Sequence, residues 1–167
     1  MPVTYEPIQT VTPTSNTATI TFSNIPQTYS DLKLVIRAFG TNDSANCAIR
    51  YNGVTSGYAN TQLISSGSSL TFQQQSSTNY MYLTVGGNLR TGRPLISTID
   101  ILEYTLSSKK TSLSRSFNYF ASGEPDRGMV IHTLTTGAIT SITVNEINGY
   151  AYTANATTVT LLGIKRA

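Results

Sequence analysis

One histidine, one cysteine and eight carboxylates are the side chains of this sequence best suited to metal binding or to acid–base and thiol chemistry near neutral pH. His132 lies in Met129-Val130-Ile131-His132-Thr133-Leu134, where an extended backbone puts it on one face with Val130 and Leu134. A His-based catalytic relay or a multi-His metal centre would have to be built around this residue alone. Its apolar neighbours predict a satisfied structural histidine instead. Cys47 opens a strand-like segment without a nucleophile signature, which predicts a small buried hydrophobe, and a single cysteine makes no disulfide framework.

The acids are Glu6, Asp31, Asp43, Asp100, Glu103, Glu124, Asp126 and Glu146. Glycoside cleavage needs two of them held close across a bond. Asp100 and Glu103 stand an odd number of residues apart, so a regular strand points them to opposite faces. Glu124-Pro125-Asp126-Arg127-Gly128 reads as a turn in which Pro and Gly play ordinary roles. Asn42-Asp43-Ser44 brings one acid to one loop, fewer ligands than calcium takes. Asn52-Gly53 and Gly86-Gly87 read as turns, and no glycine-rich loop leads into a helix to cradle phosphate. These readings predict no enzyme, no cofactor and no bound metal.

The elements that would hold these residues are strands. Period-two alternation, β-branched residues and Gly, Pro, Asn or Ser boundaries recur along the chain, and helical patterning is nearly absent. Strands are predicted over Val3–Val11, Thr17–Phe22, Leu32–Phe39, Cys47–Tyr51, Tyr80–Val85, Ile96–Thr105, Ser112–Ala121, Met129–Leu134, Thr140–Ile147 and Thr157–Ile164. Pro7 marks the first as an edge strand or extended arm. Thr55 to Gln75 is diffuse and reads as a long loop with one weak strand. The expected fold is all-β, a single-domain antiparallel β-sandwich, with a jelly roll favoured over an immunoglobulin-like arrangement. Residues 1–16 form the arm or edge strand and 17–167 the sandwich.

Across 167 residues, apolar types supply 39% and charged types only 11%. Ser and Thr make up roughly a quarter, so hydroxyls rather than charges solvate the surface. The net charge of +3 is dispersed, with Lys109-Lys110 and Lys165-Arg166 as the adjacent pairs, which argues against nucleic-acid binding. The opening Met1-Pro2-Val3-Thr4-Tyr5-Glu6 has neither the basic start nor the apolar run of a signal peptide. Leu32 to Phe39 is too short and too charged for a membrane span. Ten tyrosines, five phenylalanines and no tryptophan suit strand formation and also protein interfaces.

The run Ala18-Thr19-Ile20-Thr21-Phe22-Ser23-Asn24-Ile25-Pro26-Gln27-Thr28-Tyr29-Ser30-Asp31-Leu32-Lys33-Leu34-Val35-Ile36 resembles a pattern in virion proteins of tailed bacteriophages. There, a Thr-rich strand ends in Phe-Ser, continues through Ile-Pro, and enters an apolar strand by Thr-Tyr-x-Asp-Leu. The opening Tyr5-Glu6-Pro7-Ile8 and the ending Val159-Thr160-Leu161-Leu162-Gly163-Ile164-Lys165 are similar to the ends of those proteins. The likeness thins out between Gly53 and Ser122. In physical terms, Ile25 can plug one end of a core, Pro26 stiffens the connection and Asp31 can accept backbone hydrogen bonds.

The resemblance implies a non-enzymatic virion structural protein, foremost a capsid decoration or cement protein at the capsid surface, made in the host cytoplasm. Its expected partners are the major capsid protein and its own copies, as a homotrimer, without nucleic acid or membrane. The alternative is a tail-fibre, spike or adaptor module that binds a host-surface glycan. Candidate partner-interface residues are Val3, Tyr5, Pro7 and Ile8 in the arm, with Tyr80, Tyr82, Tyr150 and Tyr152.

Overall fold

A computed structural model of the chain describes residues 4–66, 69–83, 89–119 and 125–165. It is all-β, with two antiparallel sheets facing each other across one apolar core. The strands are β1 (Thr4–Val11), β2 (Thr19–Phe22), β3 (Asp31–Ala38), β4 (Cys47–Tyr51), β5 (Tyr58–Ser66) and β6 (Ser69–Thr78). They continue as β7 (Met81–Tyr82), β8 (Leu95–Leu102), β9 (Lys109–Tyr119), β10 (Pro125–Thr135), β11 (Ile142–Glu146) and β12 (Thr158–Lys165). The larger sheet has the order β1-β12-β3-β8-β9-β10-β5-β6 and the smaller one β2-β11-β4-β7.

Alternation explains which residues face inward. Leu32, Leu34, Ile36 and Ala38 of β3 are buried, as are Val159 and Leu161 beside them on β12 and Leu95, Ile99 and Ile101 on β8. Ile20 and Phe22 of β2, Ile49 of β4, and Ile142 and Val144 of β11 close over them from the small sheet. A one-residue slip in any of these registers would turn the apolar set to water.

Several connections behave as their residues predict. Ile25 is buried at one end of the core, and Asp31 Oδ1 accepts the Glu103 N–H at 2.8 Å. Asn52 and Gly53 both take positive φ (52° and 67°), and the Val54 N–H closes the turn on the Tyr51 carbonyl at 2.9 Å. Two positive φ values in succession favour Asn-Gly.

Other expectations need correction. Thr55 to Gln75 is no loop: β5 and β6 form a long hairpin paired from Tyr58 to Thr78. Pro125 and Asp126 begin β10 instead of forming a turn, since proline is tolerated at the first residue of a strand. Val3 lies outside the described residues. The rest of the arm, Thr4 to Val11, pairs along β12 as an edge strand, with Ile8 and Val11 packed against the core. Predicted strand residues 84, 85, 120 and 121 also lie outside the described residues.

The connection that leads into β3 and the C-terminal strand meet in space. Ile164 pairs with Asp31, the Ser30 N–H donates to the Ile164 carbonyl at 2.9 Å, and the Tyr29 ring lies flat against Gly163. A Cβ built on Gly163 would stand 2.4 Å from the ring carbons of Tyr29, so the Thr-Tyr-x-Asp-Leu segment and the C-terminal glycine form one packed unit.

Glu146 ends β11 as a buried carboxylate. Its Oε1 accepts the N–H groups of Asn46 (2.7 Å) and Asn148 (2.9 Å), and its Oε2 accepts that of Tyr150 (2.6 Å). Glu146→Ala strips the partner from three backbone donors, and a loss of about 3 kcal/mol is expected by urea unfolding. A loss below about 1 kcal/mol would mean that water replaces the carboxylate freely.

Candidate functional site

The only histidine sits where registers of three strands converge. On the inner face of the large sheet, β9 presents Ser112, Ser114 and Ser116, β10 presents Val130 and His132, and β5 presents Asn60 and Gln62. His132 is directly opposite Ser112 on one side and Asn60 on the other. Its Nδ1 lies 2.8 Å from Asn60 Oδ1, and its Nε2 lies 3.0 Å from Ser114 Oγ. Asn60 Nδ2 donates to Thr78 Oγ1 (2.8 Å) and to the Tyr80 carbonyl (3.2 Å), which turns Oδ1 toward the imidazole. The consistent proton arrangement has Nδ1–H donating to Asn60 and Nε2 accepting from the Ser114 hydroxyl.

A hydroxyl, an imidazole and an orienting side chain in this order share the connectivity of a nucleophile–base relay. The surroundings are of another kind. All three residues are at most 1% exposed, so the hydroxyl is out of reach of solvent. Burial holds the imidazole neutral by pulling its pKa down to about 3, far below a useful general base near neutral pH. A neutral amide in the third position offers no charge to stabilise an imidazolium. As placed, the trio pins the long β9–β10 and β5–β6 hairpins to the sandwich. His132 is a satisfied structural histidine; Ser114 and Asn60 were not singled out from sequence. The alternating serines at 112, 114 and 116 were the available signal for a polar inward face.

Next to the trio, Gln62 is 1% exposed, and neither of its amide atoms finds a protein partner. Tyr51 Oη shares a hydrogen bond with Ser112 Oγ at 2.7 Å, extending the polar row into the core.

Glu124 lies outside the described residues; among the described ones, the following chemistry-bearing side chains are engaged locally. Cys47 is buried, its thiol pushed up to about 12 by desolvation, and it accepts the Tyr152 hydroxyl at 3.3 Å. Asp43 Oδ1 accepts the Thr91 N–H (2.8 Å) and hydroxyl (3.0 Å), bonds that hold its pKa below the ordinary carboxylate range and clamp the 41–46 loop to Thr91. Asp100 lies on the outer face between Lys33 at 2.5 Å and Arg115 at 3.8 Å, whereas Glu103 follows the strand end with φ 47°.

Tyr152 is a correction. It is fully buried and its hydroxyl is used on Cys47, so its place is the core rather than a contact surface. Tyr51, Tyr58 and Tyr104 are equally buried, each with its hydroxyl bonded inside the protein, to Ser112, the Tyr51 N–H and the Pro26 carbonyl respectively. Much of the tyrosine usage is therefore structural. Tyr150 is exposed just after the Glu146-bound turn, and Tyr5 and Pro7 are exposed on β1. Tyr80 and Tyr82 come together with ring centroids 6.2 Å apart at 53°, and Arg50 covers the Tyr80 ring at 4.0 Å. A tilted pair with one face capped by guanidinium is a poor flat platform for a sugar ring.

Among the described residues no helix is long and apolar enough to cross a membrane. Comparisons of the chain with family models, with curated proteins and with solved structures found no match.

Proposed function

We propose that this protein is a non-enzymatic structural component of a tailed-bacteriophage particle, a capsid decoration or cement protein on a jelly-roll sandwich. In this reading it binds between major capsid proteins as a homotrimer and strengthens the shell through many weak contacts. The observation that carries the reading is the joining of the two phage-like segments. Residues separated by most of the chain, Tyr29 and Gly163, fit face to face in a contact that excludes a Cβ. A pattern that closes on itself in three dimensions is a folding module and more than a chance run of threonines. The sealed position of the Ser114–His132–Asn60 trio supports a non-catalytic role, because a relay without access to substrate has no use in turnover.

The test is cosedimentation of the purified chain with undecorated capsid shells and, in parallel, with intact host cells. Saturable binding to shells at a fixed ratio to capsid protein is the expected result. Binding to cells but not to shells would overturn it in favour of the glycan-binding tail module.

A further inference from the structure

The sequence holds two Asn-Gly pairs, Asn52-Gly53 and Asn148-Gly149. Such a pair sets an electrophile beside a nucleophile: the side-chain amide carbon, and the next backbone nitrogen, which glycine leaves unshielded by any Cβ. Both glycines are exposed in turns with positive φ, 67° at Gly53 and 85° at Gly149. Among the described residues, neither glycine N–H has an acceptor. The nucleophile is therefore equally free in both pairs.

The electrophile is not. Asn52 is half-buried, and its Oδ1 accepts the N–H groups of Thr140 (2.9 Å) and Ser141 (3.1 Å) and the Thr140 hydroxyl (3.3 Å). Its Nδ2 donates to the Ala138 carbonyl at 2.8 Å. Asn148 is exposed, and its side chain is held by one bond, from Nδ2 to the carbonyl of exposed Ser44 at 2.8 Å. To react, the amide must swing until its carbon meets the next nitrogen. At Asn52 that swing breaks four hydrogen bonds and strands two backbone donors. At Asn148 it breaks one, and water can take over the carbonyl left behind.

We infer that Asn148 is a site of spontaneous deamidation and isomerisation, and that the fold protects Asn52 from the same reaction. The Gly149 nitrogen gives its proton to water and bonds to Asn148 Cγ; the Cγ–Nδ2 bond breaks and ammonia leaves. Water then opens the cyclic imide at one of its two carbonyls. Opening at Cγ leaves aspartate, and opening at the main-chain carbonyl leaves isoaspartate, with the chain running through Cβ and Cγ. The reacting peptide lies between two N–H groups held by one carboxylate, Asn148 on Glu146 Oε1 and Tyr150 on Oε2. Isoaspartate inserts one extra atom between them, so the present double grip is lost. Either product also puts a carboxylate two residues from Glu146 and removes the donor that Ser44 now receives. Because Glu146 Oε1 also holds the Asn46 N–H, the change loosens the 41–46 loop from residues 147–151. It also lowers the net charge of +3 by one.

The test ages the full chain in mildly alkaline buffer, once native and once unfolded in guanidinium chloride, and follows each asparagine by peptide mass spectrometry. Conversion adds about one mass unit, and labelling by an isoaspartyl methyltransferase marks the isomerised share. In the native protein Asn148 is expected to convert roughly tenfold faster than Asn52, or more. In the unfolded chain the two rates should fall within about twofold of each other, since the side-chain bonds are gone. Aged wild type should melt at a lower temperature than fresh protein. Asn148→Ser, which cannot form the imide, should keep its starting melting temperature through the same ageing. Equal native rates at the two sites would overturn the inference, as would an Asn148 that stays intact while the unfolded chain converts. The same rate ratio in both states would overturn the protective role of the fold at Asn52.

Discussion

Gly163→Ala is expected to destabilise the protein by about 2–3 kcal/mol, the range of a core forced to accept an atom it has no room for. The added methyl would meet three carbons of the Tyr29 ring at 2.4–2.5 Å, below any real contact distance. Relief would require the ring to leave its place between β12 and the Pro26 connection, and this would expose the end of the core that Ile25 and Tyr104 close. The backbone at Gly163 is ordinary strand, so the cost is steric and vanishes when the obstacle is removed. In a Tyr29→Ala background the Gly163→Ala step should cost less than about 1 kcal/mol. Urea unfolding of the four members of this cycle measures the coupling. Additive losses would mean that Tyr29 and Gly163 do not touch.

Stability should also fall steeply as the solution is acidified below pH 6.5, well before most carboxylates titrate. Buried His132 stays neutral in the folded protein down to about pH 3, because desolvation opposes its charged form. In the unfolded chain the same ring protonates near the ordinary value of 6.5. Between these two values the unfolded state binds a proton that the folded state refuses, so the contribution is complete above about pH 6.5 and drains away as pH falls. Two pH units within that window correspond to about 2.7 kcal/mol, and the whole window to roughly 4–5 kcal/mol. Denaturation midpoints at pH 6.5, 5.5 and 4.5 give the slope directly. His132→Gln should lower stability at neutral pH and flatten this slope. A wild type whose stability is level from pH 6.5 to 4.5 would show that the imidazole is protonated inside the fold.

How much of this was legible in the sequence depends on whether a strand has one dry face. Sharp alternation of apolar side chains gives Cys47–Tyr51 to the residue and Asp31–Ala38 to within one. The β5–β6 hairpin was missed because β6 has no buried face to impose a period, and its Gln73-Gln74-Gln75 run looks like a loop. The site was harder still. Ser114 and His132 lie on consecutive strands, but Asn60 joins them from β5, far away in sequence, and no local spacing encodes that register. Tyr150 and Tyr152 show the limit of residue type alone: two positions apart, one faces solvent and the other fills the core.

The protected β1 edge also limits how the large sheet can be extended. A sheet extended through β6 ends wherever a β1 edge is reached, since proline, a bulge and an ion pair stand there instead of a row of free amides. Each molecule therefore offers at most one open edge along the sheet, and edge joining alone builds no filament where two open edges would have propagated one.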